Sequence, residues 1–147
     1  MKMSAQTIFV ATKDKIYLYD LDGMKILAKL PAENHLGRIS LSSESEEHPY
    51  LVYSTSLDVG ELIVYSTKER EEVNKIICHK TIILKLAIGY NGKVVGTCST
   101  SGSLIRVFSL PNGERLYSFN RSIELPSKLL NQYFFTFSAN NELLIAF

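Results

Sequence analysis

This 147-residue chain has no tryptophan, two cysteines, four prolines and a formal net charge of only +1. A balanced charge leaves no global field toward nucleic acid or a membrane, so any attraction to either must be local. Cys78 and Cys98 are too few for a disulfide framework. Both fall on predicted strands and are read as reduced core thiols of a cytosolic protein. Two cysteines and three scattered histidines give no metal-ligand spacing. No apolar run approaches membrane-spanning length. Residues 1–6 lead into only four apolar residues, Ile8-Phe-Val-Ala11, fewer than a secretory core needs, so no leader is expected. Helix periodicity is also missing. There is no nucleophile–base arrangement and no glycine-rich phosphate loop, so neither an enzyme nor a cofactor is expected.

What is present is a series of short apolar runs. Hydrophobic residues are 46% of the chain, above what disorder tolerates. The runs are rich in Ile, Val, Tyr and Phe and are bounded by Gly, Asn, Ser and Pro. Between His79 and Ser122 they form one unit: strands at 82–89, 94–99, 104–109 and 115–119, with turns at Asn91-Gly92, Ser101-Gly102 and Pro111-Asn112-Gly113. Such turns match the twist of paired strands and specify hairpins rather than crossovers.

The unit recurs. Ile16-Tyr-Leu-Tyr-Asp20, Leu62-Ile-Val-Tyr-Ser66 and Ile105-Arg-Val-Phe-Ser109 are one element three times, with Tyr19, Tyr65 and Phe108 offset by 46 and 43 residues. Each is preceded by an apolar strand: Ile8–Ala11, Leu51–Ser54 and Val94–Thr97. Leu143–Phe147 is a fourth copy of that strand. A period of about 40–45 with four short strands per copy is that of WD40-type blades. The fold expected is therefore all-β, a partial WD40-like β-propeller of about three four-stranded antiparallel blades. Its parts are strands of one blade at 7–30, counted as three, blades at 36–78 and 82–120, and the start of a further blade at 131–147. Closed propellers use roughly four to eight blades. Open blade faces then call for self-association or a partner supplying the missing blades. The acidic run Ser42–Glu47 reads as a solvated loop between strands, and Arg106 as a blade-edge ion pair.

Several of these segments resemble the PROPPIN family, the phosphoinositide-binding propellers of autophagy called WIPI proteins in animals. They are Asp14–Asp20 followed by Met24–Leu27, Leu51–Tyr53, Gly60–Tyr65, and the run from His79-Lys80 through Ser101-Gly-Ser-Leu-Ile-Arg-Val-Phe108 to Leu116–Phe119. The resemblance covers nearly the whole chain but only part of a family member. It implies a cytoplasmic scaffold, peripheral to phagophore or endosomal and vacuolar membranes, that binds phosphatidylinositol 3-phosphate or the 3,5-bisphosphate and recruits autophagy proteins. No nucleic acid is implied.

Family members carry a Phe/Leu-Arg-Arg-Gly motif whose two arginines serve two headgroup pockets. The aligned residues here are Phe119-Asn120-Arg121-Ser122. The resemblance thus implies a first pocket of His79, Ser99, Ser103 and Asn120, with polarity kept but the arginine charge gone. Arg121 would serve a second pocket whose other residues lie in a later blade. Each residue also has a structural reading: His79 as the structural histidine that precedes the first strand of many WD40 blades, Ser99 and Ser103 as turn serines. Asn120 and Ser122 favour the alternative that the chain is a protein-only adaptor that has lost lipid recognition.

Overall fold

The computed structural model describes residues 2–3, 7–32, 38–42, 49–100, 104–120, 134–140 and 142–146. Among them there is no helix, and every strand pair is antiparallel. Strands β1 (Lys2–Met3), β2 (Thr7–Ala11), β3 (Lys15–Asp20) and β4 (Ile26–Pro31) form a first four-stranded sheet in chain order. Strands β5 (Ile39–Leu41), β6 (Tyr50–Tyr53), β7 (Gly60–Ser66) and β8 (Glu71–His79) form the second. The third comprises β9 (Ile83–Ile88), β10 (Val94–Ser99), β11 (Leu104–Ser109) and β12 (Arg115–Asn120). Strands β13 (Phe134–Phe137) and β14 (Leu143–Ala146) make a two-stranded sheet. The count of three strands at the N-terminus is short by one. β1 pairs Lys2 with Phe9 and Met3 with Ile8, too short a strand to leave a periodic signal.

Alternation along each strand decides how the sheets stack. In the second sheet Leu51, Tyr53, Ile63 and Tyr65 face the first, where Phe9, Ile16, Leu18 and Leu30 meet them. Their neighbours Val52, Leu62 and Val64 turn the other way, joining Ile76 and Cys78 against Ile83, Ile88, Val95 and Phe108 of the third. A smaller cluster of Ala87, Cys98 and Ile105 on the far face of the third sheet is packed by Phe137 and Leu143. The result is face-to-face layering. The first strands of successive sheets lie beside one another, β1 by β5, β5 by β9 and β9 by β13, as around a propeller axis. Ser40 Oγ on β5 accepts from the Ile88 N–H of β9 at 3.2 Å, and Asn74 Nδ2 donates to the Pro111 carbonyl at 2.7 Å.

The repeat is kept in backbone detail. Each pairing of third with fourth strand is bulged just before the repeated aromatic, at Leu18/Tyr19, Val64/Tyr65 and Val107/Phe108. The hairpin that follows holds one residue in the left-handed region at the same offset: Met24 (φ 49°), Arg70 (φ 60°) and Gly113 (φ 77°). Only the third of these is the residue type that the geometry favours. Gly60 answers a different demand. A Cβ there would meet the His79 Cβ and the Thr81 carbonyl oxygen, each at 2.6 Å.

Two stability outcomes follow. Arg70→Gly relieves a left-handed side chain on an exposed turn and raises stability by about 0.5–1 kcal/mol in urea unfolding. Gly60→Ala forces backbone apart at the His79–Thr81 crossing and lowers stability by about 1–3 kcal/mol. Gly23→Ala, whose Cβ would meet nothing closer than 3.4 Å, is the near-neutral control.

Candidate functional site

β8 ends at His79 where the second sheet meets the third, and burial there leaves its imidazole 4% exposed. Its Nε2 lies 3.1 Å from the Thr97 hydroxyl on β10. Thr97, fully buried, sits directly opposite Arg106 on β11, and its hydroxyl is 3.4 Å from the Arg106 carbonyl oxygen. The Arg106 side chain crosses the seam in the other direction and donates Nη1–H to the carbonyl of Cys78. His79, Thr97 and Arg106 therefore form one polar cluster inserted between two apolar layers.

Among the described residues Arg106 does not form the ion pair that the sequence suggests. Among the described residues no carboxylate pairs with it, and its Nε has no hydrogen-bond partner. Its strand position explains this. On β11 it points to the seam face with Phe108, whereas Ile105 and Val107 take the opposite face. Nothing acidic in the described part of that seam neutralises it. A guanidinium held by one carbonyl, with donors to spare, is receptive to an anion.

Burial, and then the Arg106 charge, hold the His79 imidazole down at about 4, against a smaller opposing contribution from its bond to Thr97. His79 is neutral at neutral pH. Burial pushes the neighbouring Cys78 thiol up to about 12, so it is an inert core group rather than a nucleophile. Neither Cys78 nor Cys98 is in a disulfide, and they belong to different apolar layers. Among the described residues no three His, Cys, Asp or Glu side chains group as metal ligands.

The other residues expected at the site are only partly gathered. Ser99 is buried at the end of β10, beyond a bulge at Cys98/Ser99. Asn120 ends β12, exposed and opposite Leu104. Ser99, Leu104 and Asn120 thus share one end of the third sheet, with Asn120 two strand spacings, roughly 10 Å, from Ser99. Ser103, Arg121 and Ser122 lie outside the described residues. Arg106 and Thr97 were not among the expected site residues. The signal that points to Arg106 is a charge at a strand position that the repeat otherwise fills with Tyr17 or Ile63.

The depressed His79 pKa fixes a pH dependence. Near 4 folded against 6.5 unfolded, the group binds its proton more weakly in the native state. The stability tied to its neutral form is complete above about pH 6.5 and is lost as pH falls toward 4. The loss is on the order of 3 kcal/mol. His79→Gln keeps a donor for Thr97 and cannot titrate. The wild-type minus variant difference in urea stability should shrink from pH 7.5 to pH 4.5, whereas a constant difference would show that His79 is not the titrating group.

Residues 1–146 match the PROPPIN family. Autophagy-related protein 18 of Emericella nidulans is 28% identical over 94% of this chain and 37% of its own length. That of Dictyostelium discoideum is 36% identical over 82% of this chain and 32% of its own. The chain thus spans well under half the length of these relatives. Among solved structures, the complex of KlAtg21 with the coiled-coil of AgAtg16 superposes at a TM-score of 0.78, with 23% identity over 99% of this chain and 48% of that one. Kluyveromyces lactis Hsv2 gives 0.78, with 22% identity over 98% and 44%. Three stacked four-stranded sheets, first strands aligned as around an axis, are the fold of those propellers, and the chain belongs to the PROPPIN family.

Proposed function

We propose that this chain is the lipid-reading part of an autophagy scaffold. It binds the phosphorylated inositol headgroup of phosphatidylinositol 3-phosphate or the 3,5-bisphosphate at the seam of the second and third sheets, and helps recruit autophagy proteins to that membrane. The observation that carries this reading is Arg106, a guanidinium with no described acidic partner, beside the neutral donor group of His79 and Thr97. A phosphate monoester is the complementary group, since charge-assisted donors and hydroxyls are what it requires. Ser99 and Asn120 supply further polar groups at the same end of the third sheet, and Ser103 and Arg121 are assigned to the same recognition. The relatives named for autophagy, and the neighbour solved with a coiled-coil, support protein partners of that process and a peripheral place on phagophore or endosomal membranes.

Asn120 favours a second reading, a protein-only adaptor. It is exposed where the resemblance implies an arginine. A hydrogen bond to a charged group contributes about 1.5–3 kcal/mol against about 1 for a neutral one, so the exchange weakens the headgroup site roughly tenfold.

Flotation with liposomes containing phosphatidylinositol 3-phosphate separates the two. This chain should bind weakly. Asn120→Arg should strengthen binding about tenfold, and Arg106→Met should remove it while the far-ultraviolet spectrum stays that of the parent. If Asn120→Arg, Arg121→Ala and Arg106→Met all leave flotation unchanged, the adaptor reading is preferred.

A further inference from the structure

Three exposed apolar side chains stand at one corner of the second sheet. Leu57 and Val59 occupy the turn between β6 and β7 and are 40% and 41% exposed. Ile77 on β8, 64% exposed, pairs with Glu61, the second residue of β7. This is the end of the sheet at which Gly60 pairs with His79, and so the end that carries the polar cluster of the seam. Single exposed apolar residues are ordinary on a protein surface, whereas several together, rimmed by polar groups, mark a contact surface.

The chemistry of the corner suits a lipid boundary. The Ser56 hydroxyl accepts from the N–H groups of Asp58 and Val59, at 3.2 and 3.0 Å, and the Val59 carbonyl accepts from the Glu61 N–H at 2.9 Å. The tip thus presents aliphatic side chains while these backbone donors are satisfied internally, as entry into a poorly hydrated layer requires. The acid beneath it, Glu61, is offset by the Lys75 ammonium at 3.3 Å and by the Thr55 hydroxyl at 2.9 Å. Lys80, exposed and next to His79, stands beside the corner, and the equivalent turn of the first sheet carries exposed Lys13 and Lys15. Their long stems let an ammonium reach lipid headgroups while the methylenes stay against apolar surface. Asp14 and Asp58 are the exposed acids among them.

We propose that this corner is an interfacial anchor for an anionic bilayer. It seats Leu57, Val59 and Ile77 at the boundary between headgroups and acyl chains, while Lys80 meets anionic headgroups. The inference rests on the reading of the neighbouring seam as a headgroup site, whose ligand brings a membrane surface to this end of the sheet. The two contributions are separable: the seam recognises one phosphorylated headgroup, whereas the corner gains from withdrawing apolar surface from water above any anionic lipid. Asp58, exposed between Leu57 and Val59, is repelled by that surface and holds the tip at headgroup depth.

The chain has no tryptophan, so one introduced at the tip reports alone. The probe is an excess of vesicles of phosphatidylcholine and phosphatidylserine, with and without phosphatidylinositol 3-phosphate, in plain and brominated-chain forms. Leu57→Trp emission should move to shorter wavelength on both compositions and be quenched by the brominated chains. Tyr90→Trp, on the exposed β9–β10 turn at the other end of the third sheet, should do neither. Leu57→Asp combined with Val59→Asp should weaken flotation about tenfold, and Asp58→Asn should strengthen it. Neither change should alter calorimetric titration with soluble inositol 1,3-bisphosphate, which Arg106→Met should abolish. Unshifted Leu57→Trp emission on both compositions, or flotation indifferent to the double substitution, overturns the anchor. Absence of soluble headgroup binding with the tryptophan shift intact supports the anchor and removes the headgroup reading of the seam instead.

Discussion

The structure depends on the second sheet being buried on both faces. Its core strands cannot follow the apolar-in, polar-out alternation of a half-exposed sheet. Leu62, Ile63, Val64 and Tyr65 are consecutive and all buried, the odd pair serving one interface and the even pair the other. Each large side chain so placed contributes about 1.5–3 kcal/mol. Neither neighbouring sheet gains that area unless the middle one is in register. A one-residue slip of β7 would exchange Ile63 and Tyr65 for Leu62 and Val64 at both interfaces at once.

This constraint also makes the polar cluster possible. His79, Thr97 and Arg106 sit in an interface that is otherwise largely apolar; His79 and Thr97 bond to each other within it, whereas the Arg106 Nε has no partner among the described residues. Gly60 belongs to the same arrangement. By lacking a Cβ it lets β7 approach the His79 backbone closely, and so helps to set how deep the imidazole lies. The low pKa of His79 and the inertness of Cys78 are consequences of that depth.

The hairpins were legible because their turns use residues of unmistakable chemistry. Asn91-Gly92 and Pro111-Asn-Gly113 fall where expected, and β10 and β11 have the expected bounds. The left-handed residues in the first two sheets were not legible, since Met24 and Arg70 carry no turn signal. There the fold overrides a local preference. β1 escaped because two residues show no period. His79 and Ser99 were pointed to by the family resemblance alone, and both are buried. A charge on a strand suggests an ion pair, but among the described residues Arg106 makes none. Which face it takes, and the lack of a described carboxylate there, are facts of packing rather than of sequence.

The alignment of first strands has a further consequence for how the molecule holds together in time. Every strand pairs with a neighbour in sequence, and each layer packs on the next, with ties such as Ser40 to Ile88. Such an arrangement behaves as a short one-dimensional array, with cooperativity passed from layer to layer. The middle layer can open only if both interfaces are lost, whereas an outer layer loses one. Resistance to local opening is therefore graded along the stack and is greatest at β6 and β7.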